Sequence, residues 1–505
     1  MMRIKVLMAC CMAVVAGTVF PQSRQGGSSF EEFREAQLRK MTQFSEAKRD
    51  EMAAFRDSLN RAYAAFLEQK WESFNLYREE RGFRPMPEPP VYDPMVTPVP
   101  DNEPQPVADV PIVPPVPADT LPAPADVPPR QEPVEPPRPS LAEAEFFGTV
   151  IRVQRCDEAR RLHLTGVSEQ AVADFWRQLS ALPIETLVAD MCRVGEVLQL
   201  NDWGMLQLSR SLAGTYIHSA SENERVVFSV FMLGQLGLSA KIGRSGSDLY
   251  VLLATRSKLS NTSYFTFHGG NDTGDKKYYV INPNHKQLSN IQTCNAQFGD
   301  GGRTAELSMR ALPEFARDAA FQRLNFDGET YDVDYNRNLV EYFATYPCTD
   351  FAIYATAPLD KQMLESFKHQ LHPRLAGKSQ REAVNYLLHF VQNAFRYKTD
   401  TDQFGYEKWN FAEETLVSAY CDCDDRAVFF AQLVRNLLDM EVVLVHYPGV
   451  HLATAVYFDE EEVPGTYVTT DGRKFMVCDP TYINANIGMA MPDLRNTPVE
   501  VIKLN

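Results

Sequence analysis

The residues best equipped for chemistry lie near the C-terminus. Tyr420-Cys421-Asp422-Cys423-Asp424-Asp425-Arg426 opens a run in which Ala427, Phe430, Ala431, Val434, Leu437 and Leu438 share one helical face. Asp422 reads as an N-cap, which places Cys423 where backbone amides and the helix dipole favour a thiolate. Asp422, Asp424 and Asp425 oppose that ionisation, and Arg426 offsets them in part. Downstream, Glu441–Tyr447 reads as a strand, Pro448-Gly449 as a turn and His451–Phe458 as a second strand. Alternation along that strand groups His451 with Ala453 and Ala455, small neighbours that leave room for a thiol. Phe475–Cys478 forms a third strand with Asp479 at its end, able to orient the imidazole. Nucleophile, base and orienting acid are the parts of a thiol acyl-transfer site, here Cys423, His451 and Asp479. His446, mid-strand between bulky apolar residues, is the rival base and reads as structural.

Metal binding is the competing chemistry. Cys421 and Cys423 with His446, His451 or Cys478 offer soft zinc ligands, but paired Cys-x2–4-Cys knuckles are missing and carboxylates interleave the thiols. Calcium at Asp422, Asp424 and Asp425 is disfavoured because side chains at a helix start diverge. The expectation is therefore no metal and no cofactor.

The catalytic segment has a counterpart upstream. Glu224–Phe228, Ala240–Arg244 with Leu249–Leu253, and Tyr278–Pro283 match Asp425–Phe429, Val442–Val445 with His451–Val456, and Phe475–Pro480, at offsets of 201 and then 197 residues. Three blocks in one order predict an internal duplication. On that alignment Glu222, Tyr250 and Asn282 face Cys423, His451 and Asp479, so the first copy is expected to be non-catalytic.

These residues resemble the bacterial transglutaminase-like superfamily. The resemblance rests on Phe411-Ala412-Glu413-Glu414-Thr415-Leu416, Asp422-Cys423-Asp424-Asp425-Arg426-Ala427, His451 and Asp479-Pro480-Thr481, and covers about 379–492. Leu200-Asn201-Asp202-Trp203-Gly204 also looks like a segment of exported relatives with two such domains. The chain departs from the pattern at Cys421, where glycine is common, and at Ala453, where an aromatic often stands. The resemblance implies an α+β, papain-like fold with Cys423 as nucleophile, His451 as general base and Asp479 as its orienter. It spans peptidases, amidases, cross-linkers and inactive copies.

What precedes must export and present that core. Residues 1–22 carry Arg3 and Lys5 and then an apolar run from Val6 to Val19, the length of a signal peptide and short for a membrane span. Cys10 also permits a lipoprotein reading. Residues 27–82 repeat every eleven residues, with Phe33, Phe44, Phe55, Phe66 and Tyr77 in one register and Phe30, Met41, Met52, Tyr63 and Phe74 in another. Eleven residues over three turns predict one long helix with an aromatic stripe for self-association or an envelope partner, packing on the chain's own globular part being the alternative. Residues 83–140 hold 21 of the chain's 33 prolines and read as an extended, disordered linker. Residues 141–300 and 301–505 are then the degenerate and the catalytic domain.

Composition excludes more than it proposes. A net charge of −16 in 505 residues argues against nucleic acid or anionic membrane as a partner. Seven of nine cysteines fall after the leader, an odd count that leaves a free thiol in an exported chain. The sequence thus predicts an exported thiol enzyme acting on a protein or peptide amide, by hydrolysis in preference to transamidation. A non-catalytic envelope scaffold is the alternative from another class.

Overall fold

The computed structural model describes residues 50–78, 86–92, 107–108, 141–268, 275–296, 298, 302–459 and 463–504. The expected leader, Cys10 and most of the linker lie outside them. The chain divides into residues 1–57, whose described part, 50–57, is helical, and a compact unit of residues 58–505. Everything below concerns the second unit.

It begins with helical residues 58–67 (α1) and the short strands β1 (Glu72–Asn75), β2 (Tyr77–Arg78) and β3 (Val107–Ala108). A hairpin of β4 (Leu141–Phe146) and β5 (Thr149–Gln154) leads to α2 (Glu169–Ser180), α3 (Ile184–Val197), α4 (Asp202–Tyr216) and α5 (Glu222–Gln235). Strands β6 (Ala240–Ser245), β7 (Asp248–Ala254), β8 (Ser263–His268), β9 (Asp275–Ile281) and β10 (Asn290–Thr293) follow. A second hairpin, β11 (Ala319–Phe326) and β12 (Glu329–Asn336), precedes α6 (Arg337–Phe343), α7 (Phe351–Thr356), α8 (Lys361–Leu375) and α9 (Gln380–Ala394). Then come α10 (Asp400–Phe404), α11 (Ala412–Val417) and α12 (Cys423–Leu438). The chain closes with β13 (Val442–Tyr447), β14 (His451–Tyr457), β15 (Tyr467–Thr470), β16 (Arg473–Cys478) and β17 (Val499–Lys503).

The fold is mixed α+β with antiparallel sheets. One sheet runs β1-β10-β6-β7-β9-β8-β2 and the other β15-β16-β14-β13-β17-β3, with only the β17–β3 pair parallel. Set side by side, the five strands after α5 and the five after α12 have the same spatial order, β10-β6-β7-β9-β8 and β17-β13-β14-β16-β15. Local chemistry starts the helices: Ser221 with Glu224, and Ser379 with Glu382, form reciprocal capping boxes at α5 and α9.

Three expectations about organisation change. The long helix expected over 27–82 stops at 67, and Phe74 and Tyr77 sit on strands. Tyr63 packs on Trp176 at 4.8 Å and Phe298 at 5.4 Å, while Phe74 meets Phe265 at 4.7 Å. Tyr63 and Phe74 of one register thus pack against the chain's own globular part, whereas Phe66 and Tyr77 of the other stay exposed. Within the proline-rich stretch, residues 91–92 bridge to Ile483 and β3 extends the second sheet, so these parts do not act as a free spacer. The 300/301 boundary does not interrupt the core, which is continuous from Tyr63 to Leu504. Arg303 and the Glu306 amide both bond Asp202 of the first half.

Candidate active site

Asp479 leaves β16 into a turn that fixes its carboxylate. One oxygen accepts the amides of Thr481 at 2.9 Å and Tyr482 at 3.3 Å, and the other pairs with His451 Nε2 at 2.9 Å. Gln392 of α9 clamps the same turn, donating to the carbonyls of Asp479 (3.1 Å), Tyr482 (2.8 Å) and Ala485 (3.0 Å). Nothing in the sequence marked Gln392, because its role comes from where α9 crosses the turn.

With Asp479 taking Nε2–H, neutral His451 carries its free lone pair on Nδ1. That nitrogen is buried and has no hydrogen-bond partner among the described residues. Cys423 begins α12, which packs along β14, and its thiol accepts the amide of Leu452, the residue after His451. The site residues expected from sequence therefore meet as a linked set: Asp479 to His451 by a hydrogen bond, and Cys423 to the next backbone amide.

The surroundings differ from expectation. Ala453 and Ala455 do not open space for the thiol; their face packs with Tyr447, Phe475 and Tyr482, while Cys423 belongs with Leu452 in the core under α12. The predicted thiolate is also opposed. Burial first, and then the Asp422 charge, push the Cys423 thiol well above its usual range despite the Leu452 amide. Cys423, His451 and Asp479 are all buried. Two surface cavities, of about 330 Å3 beside Gln432 and Arg435 and about 390 Å3 beside Phe147 and Arg210, are lined by none of the three.

A covering element lies close by. Tyr397, whose ionisation is opposed first by burial and then by the charge of Cys423, donates its hydroxyl to the Met86 carbonyl at 2.8 Å. Ile483 N donates to Pro90 O at 2.9 Å, Tyr92 N donates to Ile483 O at 2.7 Å, and the Tyr92 ring meets Tyr482 edge-on at 6.0 Å. The segment 86–92 thus lies along the turn that carries Asp479.

The rival assignments come apart. His446 pairs instead with Glu500 of β17 at 2.9 Å and lies against Phe351. The zinc set of Cys421, Cys423, His446, His451 and Cys478 is not assembled: Cys421 donates to Arg396 O, Cys478 to Met476 O, and both imidazoles hold carboxylates. The acidic set does converge, contrary to the expectation of diverging side chains. Asp400 and Glu407 come up to Asp422, Asp424 and Asp425, with oxygens of Asp400, Glu407 and Asp424, and of Asp400, Asp422 and Asp425, each within 4.8 Å of one another. Burial and the Asp422 charge raise Asp400 to about 10 and Glu407 to about 7. No sequence signal linked Asp400 and Glu407 to this place, since loops before and after α10 bring them there.

No family model, curated protein or solved structure matches this chain.

Among the described residues no helix is long and apolar enough to cross a membrane.

The first half holds different groups at the corresponding places. Both hairpins pair six residues with seven, but β6–β7 is joined by two residues and β13–β14 by three. Ser245 opposes Asp248 where Tyr447 opposes His451. By ladder position the counterpart of His451 is thus Asp248, not Tyr250. Asp248 is bound to Lys286, Glu222 to Arg210, and Asn282 to the Lys286 carbonyl at 2.7 Å.

Proposed function

We propose that the chain is an exported, transglutaminase-like thiol enzyme that hydrolyses protein or peptide amides through an acyl-enzyme. One observation carries this reading: the 2.9 Å bond from His451 Nε2 to Asp479 leaves Nδ1 buried and unpartnered, while the amide of the next residue, Leu452, holds the Cys423 thiol. Asp479 thus holds one nitrogen of the imidazole and leaves the other for the reacting proton, as a general base requires.

In the reaction the Cys423 proton passes to His451 Nδ1 as sulfur attacks the carbonyl carbon. The imidazolium, stabilised by Asp479, then returns the proton to the departing amine as the C–N bond breaks. Water, deprotonated by the same nitrogen, attacks the thioester and releases the acid and the thiol. Because the triad is buried, substrate entry requires the segment 86–92 to move off the Asp479 turn.

The chain is further read as a duplication in which the first copy lost its chemistry. The shared order of five strands after α5 and α12 supports this, and the ladder pairing then sets Asp248 at the base position.

Labelling of the full chain with iodoacetamide at pH 7, followed by peptide mass spectrometry, tests the pair. His451→Gln is expected to slow carboxamidomethylation of Cys423 at least tenfold while Cys192 labels as before. Equal Cys423 rates in the two proteins would refute a coupled thiol and imidazole.

A further inference from the structure

Met86-Pro87-Glu88-Pro89-Pro90-Val91-Tyr92 is seated on the Asp479 turn as a bound peptide is seated on a receptor. Ile483 offers it both backbone groups, the amide to Pro90 O at 2.9 Å and the carbonyl to Tyr92 N at 2.7 Å, so that Val91 and Ile483 form a parallel bridge. At the other end Tyr397 donates its hydroxyl to Met86 O at 2.8 Å. Met86 and Tyr92 pack on the cluster that holds Tyr447, Phe475 and Tyr482, whereas Pro87, Glu88 and Val91 are exposed.

The turn is held without this segment. Gln392 donates to three of its carbonyls and accepts the Asn484 amide at 3.1 Å, and Asp479 takes the Thr481 and Tyr482 amides. Lifting 86–92 away would therefore leave the Ile483 pair, the Tyr397 hydroxyl and the apolar floor under Met86 and Tyr92 open to another chain. Tyr397 fixes where that groove ends. It forms a bridge with Cys421, two residues before Cys423, and its ring centre lies 5.4 Å from the Arg426 guanidinium carbon.

The occupant's chemistry indicates what else would fit. Recognition falls on main-chain groups and on one apolar and one aromatic side chain, with prolines between them. Proline fixes its own φ near about −65° and biases the residue before it towards extended backbone, so such a segment loses little freedom on docking. We infer that this groove is a binding site for proline-containing peptide segments with an apolar residue at the Met86 position and an aromatic one at the Tyr92 position, and that 86–92 is its occupant in cis. A tethered occupant acts at about millimolar effective concentration, so an incoming segment displaces it only by binding more tightly. On the thiol-enzyme reading these segments are the substrates, entering with the Met86 position at Tyr397; the groove itself does not rest on that reading.

Fluorescence anisotropy with a fluorescein-labelled peptide of residues 86–92 tests the groove without any activity readout. The full chain with 86–92 replaced by a Gly-Ser run of equal length should bind it at least about tenfold more tightly than the wild type, whose groove is filled. A peptide carrying Met86→Ala and Tyr92→Ala should bind that chain at least about tenfold more weakly. If the Gly-Ser chain does not fold, Tyr92→Pro in the full chain removes an amide and a ring from the occupant and should bind the peptide about threefold more tightly than the wild type. No binding to a Gly-Ser chain that melts as the wild type does would overturn the site. So would equal affinities of the two chains, of the two peptides, or of Tyr92→Pro and the wild type. Peptide binding without any acyl adduct on Cys423 would keep the groove and remove the enzyme; an adduct without peptide binding would do the reverse.

Discussion

Asp479 does two things with two oxygens, and the distinction can be tested. One oxygen is tied to its own turn through the Thr481 and Tyr482 amides, and the other fixes His451 through Nε2. Asp479→Asn retains an oxygen for the turn but presents an amide to the imidazole, so the tautomer with its lone pair on Nδ1 loses its support. Acyl transfer to Cys423 should fall by about 10²- to 10⁴-fold with little change in melting temperature. Unchanged acylation would remove Asp479 from the mechanism. A second residue-scale prediction concerns Glu413, buried and accepting the Asp360 amide at 2.7 Å, whose pKa burial raises to about 7. Its folded pKa lies above the unfolded value of about 4.3, so its neutral form supports stability below that pH, and the support is lost as pH rises through 7. Glu413→Gln keeps an acceptor for Asp360. It should therefore exceed wild-type stability by about 2–3 kcal/mol at pH 8 and match it near pH 4. Denaturant titrations at the two pH values check this, and a difference independent of pH would contradict it.

At the scale of elements, α9 and the segment 86–92 hold the Asp479 turn from two sides. Replacing Gln392 by leucine leaves three carbonyls of that turn without their donor and should cost about 2–4 kcal/mol in urea unfolding. A loss below 0.5 kcal/mol would show that the clamp is incidental. Tyr92→Ala, which removes the ring that lies on Tyr482, should loosen the segment and speed Cys423 labelling severalfold. Slower or equal labelling would mean that 86–92 does not govern access. These elements also mark what the sequence could carry. The helix at Cys423 and the strands at His451 and Asp479 were legible, because periodicity and turn residues are local signals. The hairpin offset was not: aligning Tyr250 with His451 matched apolar residues but slid past a one-residue difference in the turn, and only ladder pairing reveals Asp248. The eleven-residue repeat misled for a similar reason. Its spacing continues through Phe74 and Tyr77, yet both residues gain more by pairing at the edges of a sheet than by prolonging a helix.

For the whole molecule, one continuous core from Tyr63 to Leu504 joins the two five-strand arrays, so the first half is built into the same body as the site. It contributes no thiol or imidazole at Glu222, Asp248 or Asn282, and its part in the account is structural. The carboxylate nest shows why global assembly escapes a sequence reading: Asp400 and Glu407 reach Asp424 only after α10 and its flanking loops are folded against α12. The central claim is that Cys423 carries an acyl group that His451 helps to install. The most direct measurement mixes the full chain with a panel of glutamine-containing peptides, quenches in acid and maps adducts by mass spectrometry. The account predicts a hydroxylamine-sensitive acyl adduct on Cys423 that is absent in Cys423→Ser and reduced at least a hundredfold in His451→Gln. An adduct that forms equally in His451→Gln, or a wild-type chain that acquires none on Cys423, would contradict it.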